Sequence, residues 1–255
     1  MIIDCHVHCG ELDDSAPQAY DQIAPRFDEA GVNAAVCFSP VMEIYDRHDP
    51  DFRDDEHWQI RRNHSRRYLC SLRNKHPIYP FYFVWNDFDT SELANYCGIK
   101  WHRHGNEPEY HYDDPKCEKM LEAIRENDFA ILLEETYANT LRLVDEMGKG
   151  IPFIIPHLGS LNGGIRHLLR EDFWRRENTY ADMSAGTPSV NDIKEFIDKY
   201  GPHRLLYGSD YPFATPLACK KKILELNLPP AEKELIFSGN IMRLLKNTEK
   251  KTAIA

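Results

Sequence analysis

Near its start the chain reads Ile2-Ile3-Asp4-Cys5-His6-Val7, a short β-type run, and residues 16–30, closed by Gly31, then have helical character. The same alternation of a short apolar run and a helical stretch recurs along the chain. The other seven runs are residues 32–38, 78–85, 98–102, 130–133, 153–155, 179–183 and 205–207. A strand followed by a helix, repeated, predicts a parallel sheet with right-handed crossovers.

The number of these units indicates what kind of sheet they form. Eight units predict the α/β class and a distorted (β/α)8 TIM barrel, a fold of about 250 residues, and the chain has 255. The first strand is not followed by Gly-x-Gly-x-x-Gly, which disfavours an open dinucleotide-binding sheet. We therefore interpret residues 1–255 as a single domain. Residues 86–97 are short for a full helix, and residues 41–55 are interpreted as an excursion at the mouth of the barrel.

Charge and composition exclude several classes of protein. The chain carries 31 Lys+Arg against 41 Asp+Glu, a net charge of −10, which argues against a nucleic-acid partner. The sequence has neither a long apolar run nor a basic, apolar leader, so we expect no membrane partner and a cytoplasmic location. Seven scattered cysteines are typical of reduced, packed thiols. The oligomeric state stays open, a homo-oligomer included.

Two histidines at the end of the first strand form the first candidate site. His6 and His8 are two residues apart, so both side chains lie on one side of an extended chain. Two imidazoles at this spacing suit a divalent ion such as zinc. Taken alone, such a pair is more often two partly exposed histidines at a strand end.

The eighth strand runs into Tyr207-Gly208-Ser209-Asp210, where the Gly-Ser pair allows a sharp turn and Asp210 lies at the rim. Strands one and eight are neighbours in a closed barrel, so we expect Asp210 beside His6 and His8. There it could ligate a metal or accept a proton from a water. The alternative is an N-cap or Asx turn that opens the next helix.

The sixth strand ends in Pro156-His157-Leu158-Gly159. His157 could bind a metal, polarise a substrate oxygen or move a proton. A single histidine at a strand end is often a packed structural residue. Its register with the other two candidate sites favours a role in the same site.

These three segments together resemble the amidohydrolase superfamily, specifically its amidohydrolase 2 branch. The matching motifs are His6-Val7-His8, Ile155-Pro156-His157-Leu158-Gly159 and Gly208-Ser209-Asp210-Tyr211-Pro212, with further similarity in residues 98–102 and 238–245. The resemblance covers essentially the whole chain. It implies a distorted barrel that holds a divalent metal at the carboxyl ends of its strands, with zinc expected and manganese as the alternative. Relatives include metal-dependent decarboxylases of aromatic or muconate-type acids and a lactonase that works without metal.

The chain departs from this branch at the end of the fifth strand. The branch usually has a histidine there, whereas this chain reads Leu133-Glu134-Glu135-Thr136. By position Glu134 replaces the histidine, with Glu135 as the alternative, and a carboxylate is also a suitable ligand. The resemblance thus implies a ligand set of His6, His8, Asp210 and one of the two glutamates, with His157 as a further candidate. Two surface glutamates are the competing interpretation.

The remaining candidates concern the substrate pocket. Lys100 and His102 share one face of the fourth strand. Binuclear relatives use a carbamylated lysine on this strand to bridge two metals, so Lys100 is a candidate bridge, a partner for a substrate carboxylate or part of the wall. Further candidates for lining the pocket are Trp101, His104, Tyr137, Asn162 and Tyr211.

The leading functional hypothesis is a metal-dependent hydrolase that acts on an amide, ester or lactone bond of a small organic substrate through a metal-activated water. Asp210 would move a proton, and His157 would stabilise the developing oxyanion. A metal-dependent decarboxylase of a small organic acid is the first alternative. A catalytically silent binding barrel is the second, and the intact strand-end histidines and Asp210 disfavour it.

Overall fold

Eight parallel strands form one sheet in the computed structural model, which describes residues 1–73 and 75–245. Each strand is hydrogen-bonded to the next one in the sequence. The strands are β1 (Ile3–His8), β2 (Ala34–Phe38), β3 (Ile78–Phe83), β4 (Gly98–His102), β5 (Ile131–Glu134), β6 (Phe153–Ile155), β7 (Thr179–Asp182) and β8 (Leu205–Leu206). The predicted (β/α)8 barrel is confirmed.

The barrel closes between β8 and β1, although β8 is only two residues long. The Cys5 N–H donates to the Tyr207 carbonyl and the His8 N–H to the Tyr211 carbonyl, each at 3.0 Å. Val7 and Tyr211 form a parallel bridge beyond the end of β8. These contacts place the end of the eighth strand beside the first, as the sequence predicts.

Helices lie between most of the strands. They are α1 (Tyr20–Ala30), α2 (Glu56–Leu72), α3 (Pro115–Glu126), α4 (Tyr137–Leu141), α5 (Ile165–Arg170), α6 (Val190–Tyr200), α7 (Pro216–Glu225) and α8 (Pro230–Glu234). A π-helical turn, Arg142–Met147, continues α4, and another, Leu235–Gly239, continues α8 into helical residues 240–245. Helix α5 begins only at Ile165, because Gly163 and Gly164 before it both have positive φ.

Two connections depart from the regular pattern where the sequence indicates. Between β3 and β4 a single helical turn, Leu93–Asn95, replaces a full helix. Residues 41–55 begin with the turn Val41–Glu43, and Tyr45 stacks on Trp85 with ring centroids 4.1 Å apart. The excursion is therefore packed against the barrel, and Arg47 reaches the pocket described below.

The last helical segment covers the amino-terminal end of the barrel. A buried apolar cluster takes residues from six strands, including Ile3, Phe81 and Leu132, so it lies inside the barrel. Ile241, Leu244 and Leu245 join this cluster. The Asn240 side chain donates to the Leu205 carbonyl at the start of β8 (2.6 Å). This end is thus closed, and the opposite end is left for a site.

All seven cysteines are free thiols, and six of them are buried, as their scattered spacing predicts. Across residues 1–73 and 75–245, every helix is too short or too polar to cross a bilayer.

Candidate active site

Polar side chains from the carboxyl ends of several strands meet in one pocket of about 240 Å³. The pocket is lined by His8, Arg47, His102, His104, Glu134, His157, Ser160, Leu161, Ala185, Thr187, Asp210 and Phe213. This end of a (β/α)8 barrel is where active sites lie. The residues expected from strands one, four, five, six and eight are therefore brought together.

The donor atoms of His6, His8 and Asp210 converge on one point. The Nε2 atoms of both histidines lie 3.2 Å from Asp210 Oδ1. Ligand atoms at 2.0–2.1 Å around a tetrahedral zinc ion are themselves about 3.3 Å apart, so each histidine and Asp210 have the spacing that such an ion requires, and all three atoms lie within 4.8 Å of one another. His6 Nδ1–H donates to Asp182 Oδ2 (2.8 Å), which leaves the Nε2 lone pair directed at the shared point.

The charge states of these residues also suit a metal. Burial lowers the pKa of His8 to about 4, so its imidazole is neutral at pH 7. Burial by itself would raise the pKa of Asp210, but the neighbouring imidazoles of His6, His8 and His157 outweigh it and hold that pKa well below its usual range. Neutral imidazole and ionised carboxylate are the forms that ligate metal ions.

Asp210 reaches this point through an unusual backbone. Its φ is +62°, and its N–H donates to the His6 carbonyl (2.8 Å). Gly208 permits the close approach, because a Cβ there would lie 3.1 Å from His6 Cβ. The alternative role as an N-cap is wrong, since Thr215 caps α7 by accepting from the Ala218 N–H (3.2 Å).

His157 faces the same point from β6. Its Nδ1 lies 2.9 Å from Ser184 Oγ, and its Nε2 lies 3.8 Å from Asp210 Oδ2 and 3.7 Å from Glu134 Oε2. Burial would lower the pKa of His157, but the hydrogen bond and charge of Glu134, together with the charge of Asp210, raise it to about 9. A protonated imidazole edge is therefore directed into the pocket, and His157 is more than a packed strand-end residue.

The two glutamates at the end of β5 point to different sides. Glu134 Oε2 lies 3.4 Å from Lys100 Nζ, and its Oε1 lies 2.6 Å from His104 Nε2. Burial would raise the pKa of Glu134, but the charges of His102 and Lys100 hold it well below its usual range. Glu135 Oε1 instead accepts from Arg103 (3.2 Å). Adjacent residues of a strand face opposite sides, so Glu134 alone of the pair lies in the site, and neither is on the surface.

Lys100 lies beneath the pocket, completely buried. Its Nζ is 3.4 Å from His6 Nε2 and 3.4 Å from Glu134 Oε2. The ammonium group thus stands between β1 and β5, and His102, two residues further on, lines the pocket.

Besides Lys100, four more of the expected pocket residues lie outside the lining that the described residues form. Trp101 is on the other face of β4 from Lys100 and His102, where its ring stacks with that of Tyr112 (centroids 6.0 Å apart). The Asn162 amide donates to the Leu133 carbonyl (3.1 Å). Tyr137 packs edge-on against His167, and Tyr211 joins β1 through its backbone. These four expectations are corrected: the side chains support the site from behind.

Sequence reasoning missed Asp182, Ser184, Arg47 and Glu107. Asp182 ends β7, and besides His6 it accepts from the N–H groups of His157 and Ser184, both at 2.9 Å. The rule used for the other strands, polar residues at strand ends, points to Asp182 and Ser184 as well. Arg47 and Glu107 lie in long loops, and their sequence carries no such signal.

A (β/α)8 barrel with convergent histidine and carboxylate donors at the strand ends defines a class of enzyme barrels equipped to bind a divalent metal. Within that class the assignment is specific, because the amidohydrolase (amidohydrolase 2) family model matches residues 3–246. The chain belongs to this family.

Solved structures share the fold at low sequence identity. A 5-carboxyvanillate decarboxylase from Sphingomonas paucimobilis has a TM-score of 0.71 and 13% identity, over 96% of this chain and 98% of that one. A proposed 2-pyrone-4,6-dicarboxylic acid hydrolase from Pseudomonas putida has a TM-score of 0.72 and 17% identity, over 96% and 97%. A dihydroxybenzoic acid decarboxylase from Polaromonas sp. JS666, which has bound manganese and the inhibitor 2-nitroresorcinol, has a TM-score of 0.70 and 15% identity, over 96% of each chain. Among curated proteins none matches the sequence significantly.

Proposed function

We propose that the protein is a metal-dependent hydrolase that cleaves an amide, ester or lactone bond in a small organic substrate. The observation that carries the proposal is the convergence of His6, His8 and Asp210 at 3.2 Å, with the second Asp210 oxygen turned toward His157. The pocket volume of about 240 Å³ lies below the range of roughly 300–1,000 Å³ that drug-sized ligands occupy. It therefore favours a small substrate.

His6, His8 and Asp210 would hold the divalent ion. Nitrogen and oxygen donors suit zinc, and manganese is the alternative. The ion supplies Lewis-acid polarisation of a carbonyl and lowers the pKa of a bound water.

The side chains of the protein supply the proton transfers. Asp210 Oδ1 lies with the two histidine Nε2 atoms and would hold the ion, and Oδ2 is left to take a proton from the attacking water and deliver it to the leaving group. His157 donates to the substrate oxygen as negative charge develops there. Ser184 fixes the imidazole through Nδ1, so that Nε2 is the atom that meets the substrate. Arg47 at the pocket wall offers a partner to an anionic group of the substrate.

A metal-dependent decarboxylase is the second candidate. The protonated form of His157 favours this reaction, because a proton donor that faces the pocket can donate a proton to the carbon from which carbon dioxide has left. Arg47 in the pocket lining adds a cation, and a cation suits a carboxylate substrate.

Product analysis separates the two reactions. The metal-loaded protein is incubated in heavy-oxygen water with a panel of lactones, esters, amides and hydroxybenzoates. Hydrolysis places one heavy oxygen in the product, whereas decarboxylation releases carbon dioxide and adds none. If the protein binds no ion and converts none of these compounds, the result supports the catalytically silent binding barrel instead.

One substitution tests the role of Asp210 in turnover. Asp210→Asn is expected to lower kcat by about 10²–10⁴-fold, since the variant can no longer accept the proton. The matched control is Asp198→Asn, at a surface residue that pairs with Lys194. Full activity of the Asp210 variant contradicts the proposed mechanism.

A further inference from the structure

A second group of metal-type donors borders the same pocket. The Nε2 atoms of His102 and His104 both face Glu134 Oε1, at 3.4 Å and 2.6 Å. His102 and Glu134 are register partners on β4 and β5, and His104 follows His102 by two residues. The three donor atoms come from side chains different from those of the His6–His8–Asp210 set.

A carboxylate lies behind both imidazoles of this group. Glu107 Oε1 is 3.3 Å from His104 Nδ1, and Oε2 is 3.7 Å from His102 Nδ1. Tyr45 OH (2.7 Å) and Arg47 Nη2 (2.5 Å) donate to this carboxylate and hold it in place. A carboxylate on the Nδ1 side is the arrangement that orients metal-ligating histidines. Asp182 stands in the same relation to His6 in the first set.

We propose that His102, His104 and Glu134 bind a second divalent cation through Nε2, Nε2 and Oε1. Two imidazoles and one carboxylate are a zinc-type donor set that leaves a coordination position open toward the pocket. Glu134 Oε2 faces Lys100 and His157, so the carboxylate stands between the two sets and Oε1 belongs to the second. The proposal goes beyond the reaction proposed above, which requires the first set alone.

Loading the second site moves one proton. Without an ion, His104 Nε2–H donates to Glu134 Oε1 while Arg47 Nη2 donates to His104 Nδ1 (3.0 Å). With an ion on Nε2, the proton resides on Nδ1, where Glu107 Oε1 accepts it. Arg47 then donates to Glu107 alone.

Charge makes the two sites unequal in affinity. Four carboxylates (Glu107, Glu134, Asp182 and Asp210) face Lys100, Arg47 and the imidazole of His157 in this buried region. An ion in the first set reduces the negative charge that a second ion meets, and it repels the second ion directly. We therefore expect the second ion to bind more weakly by at least about tenfold.

The experiment is a cobalt titration of the full chain after chelator treatment, with Co²⁺ counted by equilibrium dialysis and its coordination followed by visible absorption. We expect two ions per chain, in a tight class and a weaker class. His104→Ala should lose the weaker class and keep the tight one, and His8→Ala should lose the tight one. Glu107→Gln, which leaves all three donors in place, should weaken the second class by about 10–100-fold.

The control is His64→Ala, because His64 is exposed, pairs with Glu11 and lies outside the pocket lining, and it should retain both classes. A single ion per chain at millimolar Co²⁺, or a second ion that survives in His104→Ala, overturns the second site. If a single ion remains sensitive to His8→Ala, the proposed function stands while this inference fails. If no ion binds at all, both fail.

Discussion

The site depends on single residues in strained backbone conformations. His157 and Asp210 have φ values of +56° and +62°, in the left-handed region that side chains other than glycine rarely adopt. Each is held there by a hydrogen bond of its own N–H, to Asp182 for His157 and to the His6 carbonyl for Asp210. Strain of this kind persists where surrounding contacts over-determine the backbone, and here it turns both side chains toward one point.

Asp182 is expected to control metal affinity without touching the ion. Its carboxylate accepts from His6 Nδ1–H and from the N–H groups of His157 and Ser184. In Asp182→Asn an amide N–H replaces one of the two oxygens, so either His6 Nδ1–H or the backbone N–H groups of His157 and Ser184 lose their acceptor. We expect metal affinity to fall by about 10–100-fold, measured by competition with a chelator.

The control for this prediction is Asp198→Asn, the same change at a surface carboxylate that pairs with Lys194. Its metal affinity should equal the wild-type value, because Asp198 contacts none of the candidate ligands. Wild-type affinity in Asp182→Asn contradicts the positioning role.

At the scale of elements, loops add side chains to the pocket that the strand ends form. The excursion of residues 41–55 brings Arg47 to the pocket, and Tyr45 from the same segment donates to Glu107 (2.7 Å). Glu43 anchors this segment: Oε1 accepts from the N–H groups of Leu12 (2.6 Å) and Asp13 (3.2 Å), and Oε2 accepts from the Ser65 hydroxyl. One buried carboxylate thus joins three segments at the mouth of the barrel.

Replacing Glu43 by glutamine is expected to stabilise the protein at neutral and alkaline pH. Burial raises the pKa of Glu43 above the usual 4.5, so the folded state favours the protonated form and loses stability as pH rises above that value. Glutamine keeps an acceptor for both N–H groups and does not ionise. The unfolding temperature of Glu43→Gln should exceed that of the wild type at pH 8, and the difference should narrow toward pH 4.

Glu29→Gln provides the comparison, since Glu29 is half exposed and pairs with Arg26 on α1. The difference in unfolding temperature between Glu29→Gln and the wild type should not change with pH. If Glu43→Gln is less stable than the wild type at pH 8, the ionised carboxylate of Glu43 stabilises the folded state and the prediction is wrong.

At the scale of the whole molecule, the site exists because the barrel closes. The hydrogen bond from His6 to Asp182 joins residues 176 positions apart, and the His8–Asp210 contact joins residues 202 apart. Side chains from β1, β7 and the segment after β8 meet because β8 returns to β1. Binding of an ion by His6, His8 and Asp210 therefore links the two ends of the chain.

An ion that binds the folded chain alone stabilises the whole molecule. At a free concentration about 1,000 times its Kd, the ion should add about 4 kcal/mol to the free energy of unfolding. For a domain of this size that corresponds to an unfolding temperature higher by roughly 8–16 °C, measured by calorimetry with and without zinc. Asp210→Asn, which lacks one charged ligand, should show a much smaller shift, and an equal shift in both proteins would place the ion elsewhere.

The sequence alone determined the barrel, because alternation of apolar runs and helical stretches is a local property. It also identified His6, His8, His157 and Asp210, because strand ends of a closed barrel share one face. Local periodicity likewise placed Lys100 and His102 on one face. The choice between Glu134 and Glu135 required the structure, because register across β4 and β5 decides which carboxylate faces inward.

The tertiary structure alone decided the surroundings of these residues. Trp101, Tyr137, Asn162 and Tyr211 were expected in the pocket, yet they pack behind it, since side-chain direction depends on neighbouring elements. Arg47 and Glu107 come from loops, whose paths are set by contacts such as that of Tyr45 with Trp85. Sequence spacing places residues along a strand, whereas contacts between segments far apart in the chain decide which of them meet.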